Sequence, residues 1–277
     1  MKTKYFKKYS ILMSVYRKEN PKFLKESIDS MLNQTVLTDD FIIMEDGALT
    51  NELEDIVKYY EGNYDFIHVY RRKQNLGLGL TLMEGVKLCK NEVICRMDSD
   101  DYSIPERCEK ELRLINMGYS LVGSDIAEFE GSVSNIIVRK KMPHTYKAIY
   151  DYAKYRNPFN HSTVMFRKDT ILKAGNYRHL PKLEDYDLWS RVLMVSKKCA
   201  NIQEELVYMR INDDFYKRRG GKENLQSHLY LRKEMLKRHQ INIINYLLGC
   251  GSIIIRFICP NRLKGYIYKV VLRKNVL

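Results

Sequence analysis

None of the six cysteines (Cys89, Cys95, Cys108, Cys199, Cys250, Cys259) forms a Cys-x-x-Cys pair, which argues against a zinc ribbon or a dithiol redox motif. Nor is there an uninterrupted apolar run of about 18 residues, the length a bilayer-spanning helix needs. The nearest approach, INIINYLLGCGSIIIRFIC at 241–259, is broken by two Asn, two Gly and Arg256, and is expected to lie on a membrane or pack on the domain rather than span. The basic start MKTKYFKKYS leads into a short strand-like run, not the apolar core of a signal peptide, so free thiols in a reducing cytoplasm are expected. No fixed-period repeat is visible. With 277 residues, 45% hydrophobic and 29% charged, the chain is neither collagenous nor globally disordered, and is long enough to bury a sizeable core.

What the chain has in excess is positive charge, and it is unevenly spread. Residues 1–209 carry 32 Lys+Arg against 30 Asp+Glu, while residues 210–277 carry 15 against 4, so +11 of the net +13 lies in the last quarter. A nucleic-acid binder usually wears its charge on the folded domain. A basic terminal piece beside apolar runs points instead to an anionic membrane surface, and no nucleic-acid partner is expected. The division that follows is a body over 1–210, with halves 1–101 and 102–210, and a basic amphipathic extension over 211–277.

The pattern of the first hundred residues repeats strand then helix four times. Strands are expected at 10–16, 41–44, 66–70 and 93–97, with helices from Pro21, over 51–60, over 81–89 and over 105–116. Such alternation indicates an α/β fold with a mostly parallel central sheet. The second half is less regular: strands at 120–129, 162–166 and 205–211, and helices over 143–155, 168–174 and 183–197. A basic helix through about His239 follows. Polar residues gather just beyond the strand ends, where ligands bind in open α/β sheets.

Three groups of residues carry chemistry. RMDSDD at 96–101 places three carboxylates within four positions after a buried strand. Their mutual repulsion calls for a cation or hydrogen-bond donors, and hard ions such as Mg²⁺ or Mn²⁺ prefer oxygen ligands. The plain alternative is an acidic turn capping the next helix. Asp46, before Gly47, is either a turn residue or an acceptor for a ribose or base. QNLGLG at 74–79 has neither the Gly-Lys-Ser/Thr of a Walker loop nor Rossmann spacing, and by itself marks a tight strand-to-helix turn. LEDYDLW at 183–189 is a second acidic group, readable as a helix start or as the separate carboxylate base of a metal-plus-base mechanism.

Taken together, SVY at 14–16, EDG at 45–47, QNLGLGLTLMEG at 74–85, RMDSDD at 96–101, NHSTVMFRK at 160–168, GNYR at 175–178 and LEDYDLW at 183–189 resemble an inverting family-2 glycosyltransferase of the GT-A fold, in the bacterial capsule and exopolysaccharide branch. The resemblance covers about residues 9–211. It implies a nucleotide-sugar donor, UDP-linked, and a saccharide or lipid-linked saccharide acceptor at the inner face of the cell membrane. Ser14, Val15, Tyr16, Glu19, Asp46, Asn75, Gly77, Arg96, Asp98 and Ser99 would form the nucleotide-sugar pocket. Asp98 and Asp100 would hold Mn²⁺ or Mg²⁺, and Asp185 would be the general base. His161, Glu184 and Trp189 would stand on the acceptor side. The Gln-x-x-Arg-Trp motif of processive synthases is absent, with Arg218-Arg219 near its place, so one sugar per acceptor is implied. Two alternatives remain: a nucleotidyltransferase, which would need a Lys/Arg-bearing glycine loop after the first strand, and a membrane-binding module with an inactive core.

Overall fold

The apolar run at 10–15 becomes β1 (Ser10–Val15), flanked on both sides by parallel partners. With β2 (Phe41–Glu45), β3 (Ile67–Arg71) and β4 (Val93–Asp98) it sets the order β3-β2-β1-β4. The computed structural model describes residues 6–211 and 221–258. Helices α1 (Pro21–Leu32), α2 (Asn51–Asn63) and α3 (Leu78–Leu88) make the crossovers. Their starts obey local chemistry. Asn20 accepts hydrogen bonds from the Lys22 and Phe23 amides ahead of Pro21, and Thr50 accepts from Leu53, with Glu52 and Glu54 in the first turn.

Alternation along the strands divides the core between two faces. Ile11, Met13 and Val15 pack with Leu24 and Ile28 of α1, Leu53 and Val57 of α2, and Leu112 of α4 (Arg107–Asn116). Leu12, Ile42 and Ile94 face the other way, toward Leu82 and Val86 of α3 and Leu188, Trp189 and Val192 of α7 (Glu184–Val195). Each fully buried aliphatic or aromatic side chain contributes about 1.5–3 kcal/mol of transfer free energy.

Beyond β4 the sheet becomes mixed. β8 (Met165–Arg167) is antiparallel to both β4 and β6 (Leu121–Phe129), and β9 (Cys199–Arg210) runs parallel to β6. Two strands were not visible in the pattern. β5 (Tyr102–Ser103) is too short for a period, and β7 (Ile136–Lys140) is a half-exposed hairpin partner of β6. The expected strand at 162–166 begins with a 3-10 turn at His161–Thr163 instead. β9 starts six residues before the expected 205; its middle is exposed where the β6 ladder shifts register at Ser124–Ile126, so the hydrophobic signal fades there. Two further helices, α5 (Tyr146–Ala153) and α6 (Lys168–Lys173), complete this half, and α5 starts late because Thr145 caps it.

Past β9, α8 (Lys222–Lys237) and α9 (Ile243–Ile258) form a hairpin against α7. Leu231 and Met235 of α8 and Ile241 cluster with Leu180, Leu183 and Tyr186. The Arg232 guanidinium, buried at 4% exposure, donates to the carbonyls of Lys154 and Tyr155. Gly249 permits this crossing, because a Cβ there would lie 3.0 Å from the Arg232 guanidinium carbon. Among the described residues no helix is long and apolar enough to cross a membrane. Arg218, Arg219 and the basic residues after Cys259 lie outside the described residues.

Candidate active site

The carboxyl ends of β1, β2 and β4 open on one side of the sheet, and the sequence-predicted residues collect there. β4 ends at Asp98, and oxygens of Asp98, Asp100 and Asp101 all lie within 4.8 Å of one another. Buried cations sit beneath them. Arg96 lies two residues before Asp98, on the same side of the strand, and is 1% exposed. One of its terminal nitrogens pairs with Asp98, while Nε and Nη1 have no protein partner. Expected on the nucleotide, Arg96 is placed under the acidic loop.

The loop is also tied from its sides. The Ser27 hydroxyl donates to the Asp98 carbonyl at 2.6 Å, and Ser99 Oγ donates to Glu19 Oε2 at 2.6 Å, joining the β1 and β4 ends. Asp101 Oδ1 accepts from the Arg210 amide at 3.0 Å. The Arg210 side chain lies between the rings of Phe23 and Phe129, 3.9 and 4.5 Å from their centroids. It donates to the Asp100 carbonyl at 2.9 Å and to Glu26 at 2.5 Å. Burial first, then the charge of Asp98, pushes the Asp101 carboxyl up to about 7. An all-oxygen set of three carboxylates, one disfavoured as a bare anion, suits a hard divalent cation such as Mg²⁺ or Mn²⁺.

Asp46 ends the β2 side, and both its oxygens are engaged. Oδ1 accepts from the Leu76 amide at 2.9 Å and Oδ2 from the Gly77 amide at 3.0 Å, while Asn75 Nδ2 donates to the Asp46 carbonyl at 3.0 Å. Asp46 thus clamps the glycine loop, leaving only its remaining lone pairs for a ligand. Gly47 allows the approach: its φ is +86°, and a Cβ would stand 2.8 Å from the Asn75 nitrogen. Ser14 and Tyr16 are half-buried beside this loop's strand, whereas the Val15 side chain is in the core and only its backbone faces neighbours, accepting from the Asp46 amide at 2.8 Å.

The second acidic group opens α7. Asp185 Oδ2 accepts from Asn157 Nδ2 at 2.5 Å and Oδ1 from the Tyr186 amide at 2.7 Å. Burial raises the Asp185 pKa, and burial followed by the Asp185 charge pushes Glu184 up to about 7. Both carboxyls feel the charges of Arg96 and Asp98, so groups more than eighty positions apart in sequence lie near one another in the fold. α3 and α7 meet at Gly79, where a Cβ would lie 2.3 Å from the Arg178 carbonyl oxygen. Between Gly77–Gly79 on one side and His179–Lys182 with Glu184 on the other is a cleft of about 270 Å³.

His161 Nε2 is 2.9 Å from the Tyr177 hydroxyl, and burial with the nearby Arg96 charge holds its pKa well below the ordinary value. Trp189 corrects an expectation. It is fully buried, ringed by Phe159, His161, Phe166 and Tyr177, and so supports this wall from within without lining it. Asp101 belongs to the carboxylate cluster that the sequence shows but stands outside the expected metal pair of Asp98 and Asp100; Asn157 and Arg210 arrive through tertiary pairing and leave no local signal.

The mostly parallel sheet, with a carboxylate cluster at its strand ends and a separate acidic pair, matches the GT-A fold. The Glycosyl transferase family 2 description matches residues 10–175, and the chain belongs to that family; it is a glycosyltransferase. It is 33% identical to the Escherichia coli UDP-Gal:alpha-D-GlcNAc-diphosphoundecaprenol beta-1,3-galactosyltransferase, over 96% of this chain and 97% of that protein. It is 32% identical to the amylovoran biosynthesis glycosyltransferase AmsE of Erwinia amylovora, over 85% of this chain and 88% of that one. Among solved structures, S. aureus TarS 1–349 in complex with UDP-GlcNAc superposes with a TM-score of 0.69 at 17% identity, covering 97% of this chain and 77% of that chain. The mannosyltransferase PcManGT from Pyrobaculum calidifontis, in complex with GDP-Man and Mn²⁺, gives 0.62 at 11%, covering 92% and 71%. Those two likenesses speak for the fold alone.

Proposed function

We propose that this enzyme moves one sugar from a UDP-sugar to a lipid-linked saccharide acceptor, with inversion, in exopolysaccharide or O-antigen-type synthesis. The observation that carries the reading is the Asp98–Asp101 carboxylate cluster with Asp185 near enough to feel the charges of Arg96 and Asp98. The acceptor class draws support from the Escherichia coli relative, named for a diphosphoundecaprenol substrate, and the donor from the same name.

Ser14, Tyr16, Glu19 and the Asp46-clamped loop at Asn75 and Gly77 receive the nucleoside. Asp98 and Asp100, with Asp101 beside them, would hold Mn²⁺ or Mg²⁺, whose positive charge lowers the cost of a departing diphosphate. On the opposite wall Asp185 takes the proton of the acceptor hydroxyl as that oxygen attacks the anomeric carbon. Asn157 and the Tyr186 amide fix the carboxylate's plane, leaving lone pairs free to receive the proton. One displacement from the far face inverts the centre, so no enzyme nucleophile is required. Glu184, raised to about 7, stands ready to hold a proton against the acceptor. In this reading residues 1–210 perform the chemistry, and the basic residues 211–277 hold the enzyme at the cytoplasmic leaflet, where the acceptor lies.

The test is a panel of nucleotide sugars offered with a GlcNAc-diphospholipid acceptor, the product's anomeric configuration being read by NMR. Inverted transfer from one UDP-sugar is expected. Retention of configuration, or nucleotidyl transfer with release of pyrophosphate, would sink the proposal.

A further inference from the structure

α9 carries an apolar surface with no protein over it among the described residues. Ile243, Ile244, Leu247, Leu248 and Ile255 are each more than half exposed, at 56%, 63%, 62%, 64% and 66%, and Ile254 is 40% exposed. At 3.6 residues per turn these six fall within an arc of about 140°, with Gly251 in its middle and no charged residue on it. The opposite side faces the protein: Tyr246 packs on the α8 cluster, Ile253 is 5% exposed, and Gly249 abuts Arg232. The helix is thus sorted into a seated side and a bare side.

We infer that this bare side of α9 enters the acyl boundary of an anionic membrane leaflet, lying in its plane. The inference rests on the reading of the acceptor as lipid-linked for its purpose, and on α9 itself for the contact. Two observations choose lipid over a second copy of the chain. Residues 210–277 carry 15 basic against 4 acidic side chains, which attract an anionic leaflet but would stand against their own like in a two-fold interface. The arc is also uniform and aliphatic, a pattern suited to a fluid apolar phase. It shifts the weight from charge, which the sequence alone emphasised, to inserted apolar surface.

The attachment is rigidly joined to the chemistry. Arg232, against which α9 crosses, holds the carbonyls of Lys154 and Tyr155; two residues further, Asn157 holds Asp185. Asn245 of α9 donates to the Tyr155 hydroxyl at 2.7 Å. A docked α9 is therefore tied, through these hydrogen bonds, to the segment whose Asn157 orients Asp185.

Flotation of the full chain with phosphatidylglycerol/phosphatidylethanolamine vesicles tests this, alongside Leu247→Glu combined with Leu248→Glu. The expected result is wild-type binding that persists for at least about half the protein at about 1 M salt, where the screening length falls to about 3 Å. The double variant should bind at least tenfold more weakly, and the milder Leu248→Gln about threefold. Melting and lipid-free hydrolysis of the UDP-sugar should be unchanged in both. Equal flotation of variant and wild type, complete release by salt, or no wild-type binding overturns the inference. So does a lipid-free wild-type dimer that the double variant splits, since that puts a second copy on the face. UDP-sugar hydrolysis is read in the same samples: its absence from the wild type would refute the donor reading while leaving the flotation result intact.

Discussion

The two acidic groups of the crevice are restrained by opposite means. Around Asp98–Asp101 one support is a charge pair, Arg96 with the Asp98 carboxylate, and the Arg210 guanidinium and main-chain amide donate to the Asp100 carbonyl and the Asp101 carboxylate. Around Asp185 the supports are uncharged, the Asn157 amide and the Tyr186 amide. Buried guanidinium groups favour carboxylates that stay ionised; neutral donors in a buried setting orient a carboxylate while leaving its proton affinity high. Within the first group only Asp98 has a guanidinium partner, while burial pushes Asp101 up to about 7, as it does Glu184 in the second. The two groups come from sequence regions that share no local pattern.

Asp100→Ala breaks the first half of this contrast and should have the largest effect. Turnover and divalent-dependent UDP binding are expected to vanish while the melting profile persists. Calorimetric titration with UDP, with and without Mn²⁺, decides it; an unchanged Mn²⁺ dependence would remove Asp100 from the cluster's function. Asp185→Asn attacks the other half. Donor binding should survive, and transfer should fall by roughly 10² to 10⁴, the usual scale for a general base. Glu184→Gln should be milder, and the reverse ranking of the two would reassign the base.

Asn157→Ala sharpens the contrast without removing a charge. The lost donor had favoured the ionised form of Asp185, so the pKa of that carboxyl should rise further and the acid limb of the rate profile should move to higher pH. A loss of roughly tenfold at neutral pH is expected, as for one hydrogen bond to a charged group, with recovery in alkali. A uniform loss at every pH would make Asn157 a packing residue only.

The smallest effect is on stability. Asp101 and Glu184 each have a folded pKa near 7, raised above the ordinary carboxyl value. The folded state then binds more protons than the unfolded one between about pH 4 and 7, so stability falls as pH rises through that window. Melting should drop by a few degrees from pH 5 to pH 8 in chelator, and added Mn²⁺ should restore part of the loss by satisfying Asp101. A melting temperature that is flat or rises over this range contradicts the raised pKa values.

Legibility in the sequence followed burial. β1, β2 and β4 are buried on both faces, so Ser10–Val15 and Val93–Asp98 read as apolar runs, and Asn20 with Pro21 marks a helix start. Ile136–Lys140 did not, because one face of that hairpin is wet, and Tyr102–Ser103 exists only through its pairing with β9. Within the site, the three carboxylates were legible because they are adjacent. Asn157 and Arg210 were not, since each acts on residues 28 and about 110 positions away. Trp189 was misplaced because a lone tryptophan beside acidic residues reads equally well as a wall or as core.

The Arg210 brace also sets an order of events in time. A ribosome delivers β1 to β4 first. Yet the loop at 98–101 lacks its side support, and β5 lacks its ladder partner, until the end of β9 has emerged. From the emergence of Asp98 to that of Arg210 the acidic loop is therefore without this brace. Protease cleavage between residues 98 and 103 in arrested nascent chains should persist until Arg210 leaves the tunnel and then stop. Protection already present in chains arrested before β9 would show that the loop closes without it.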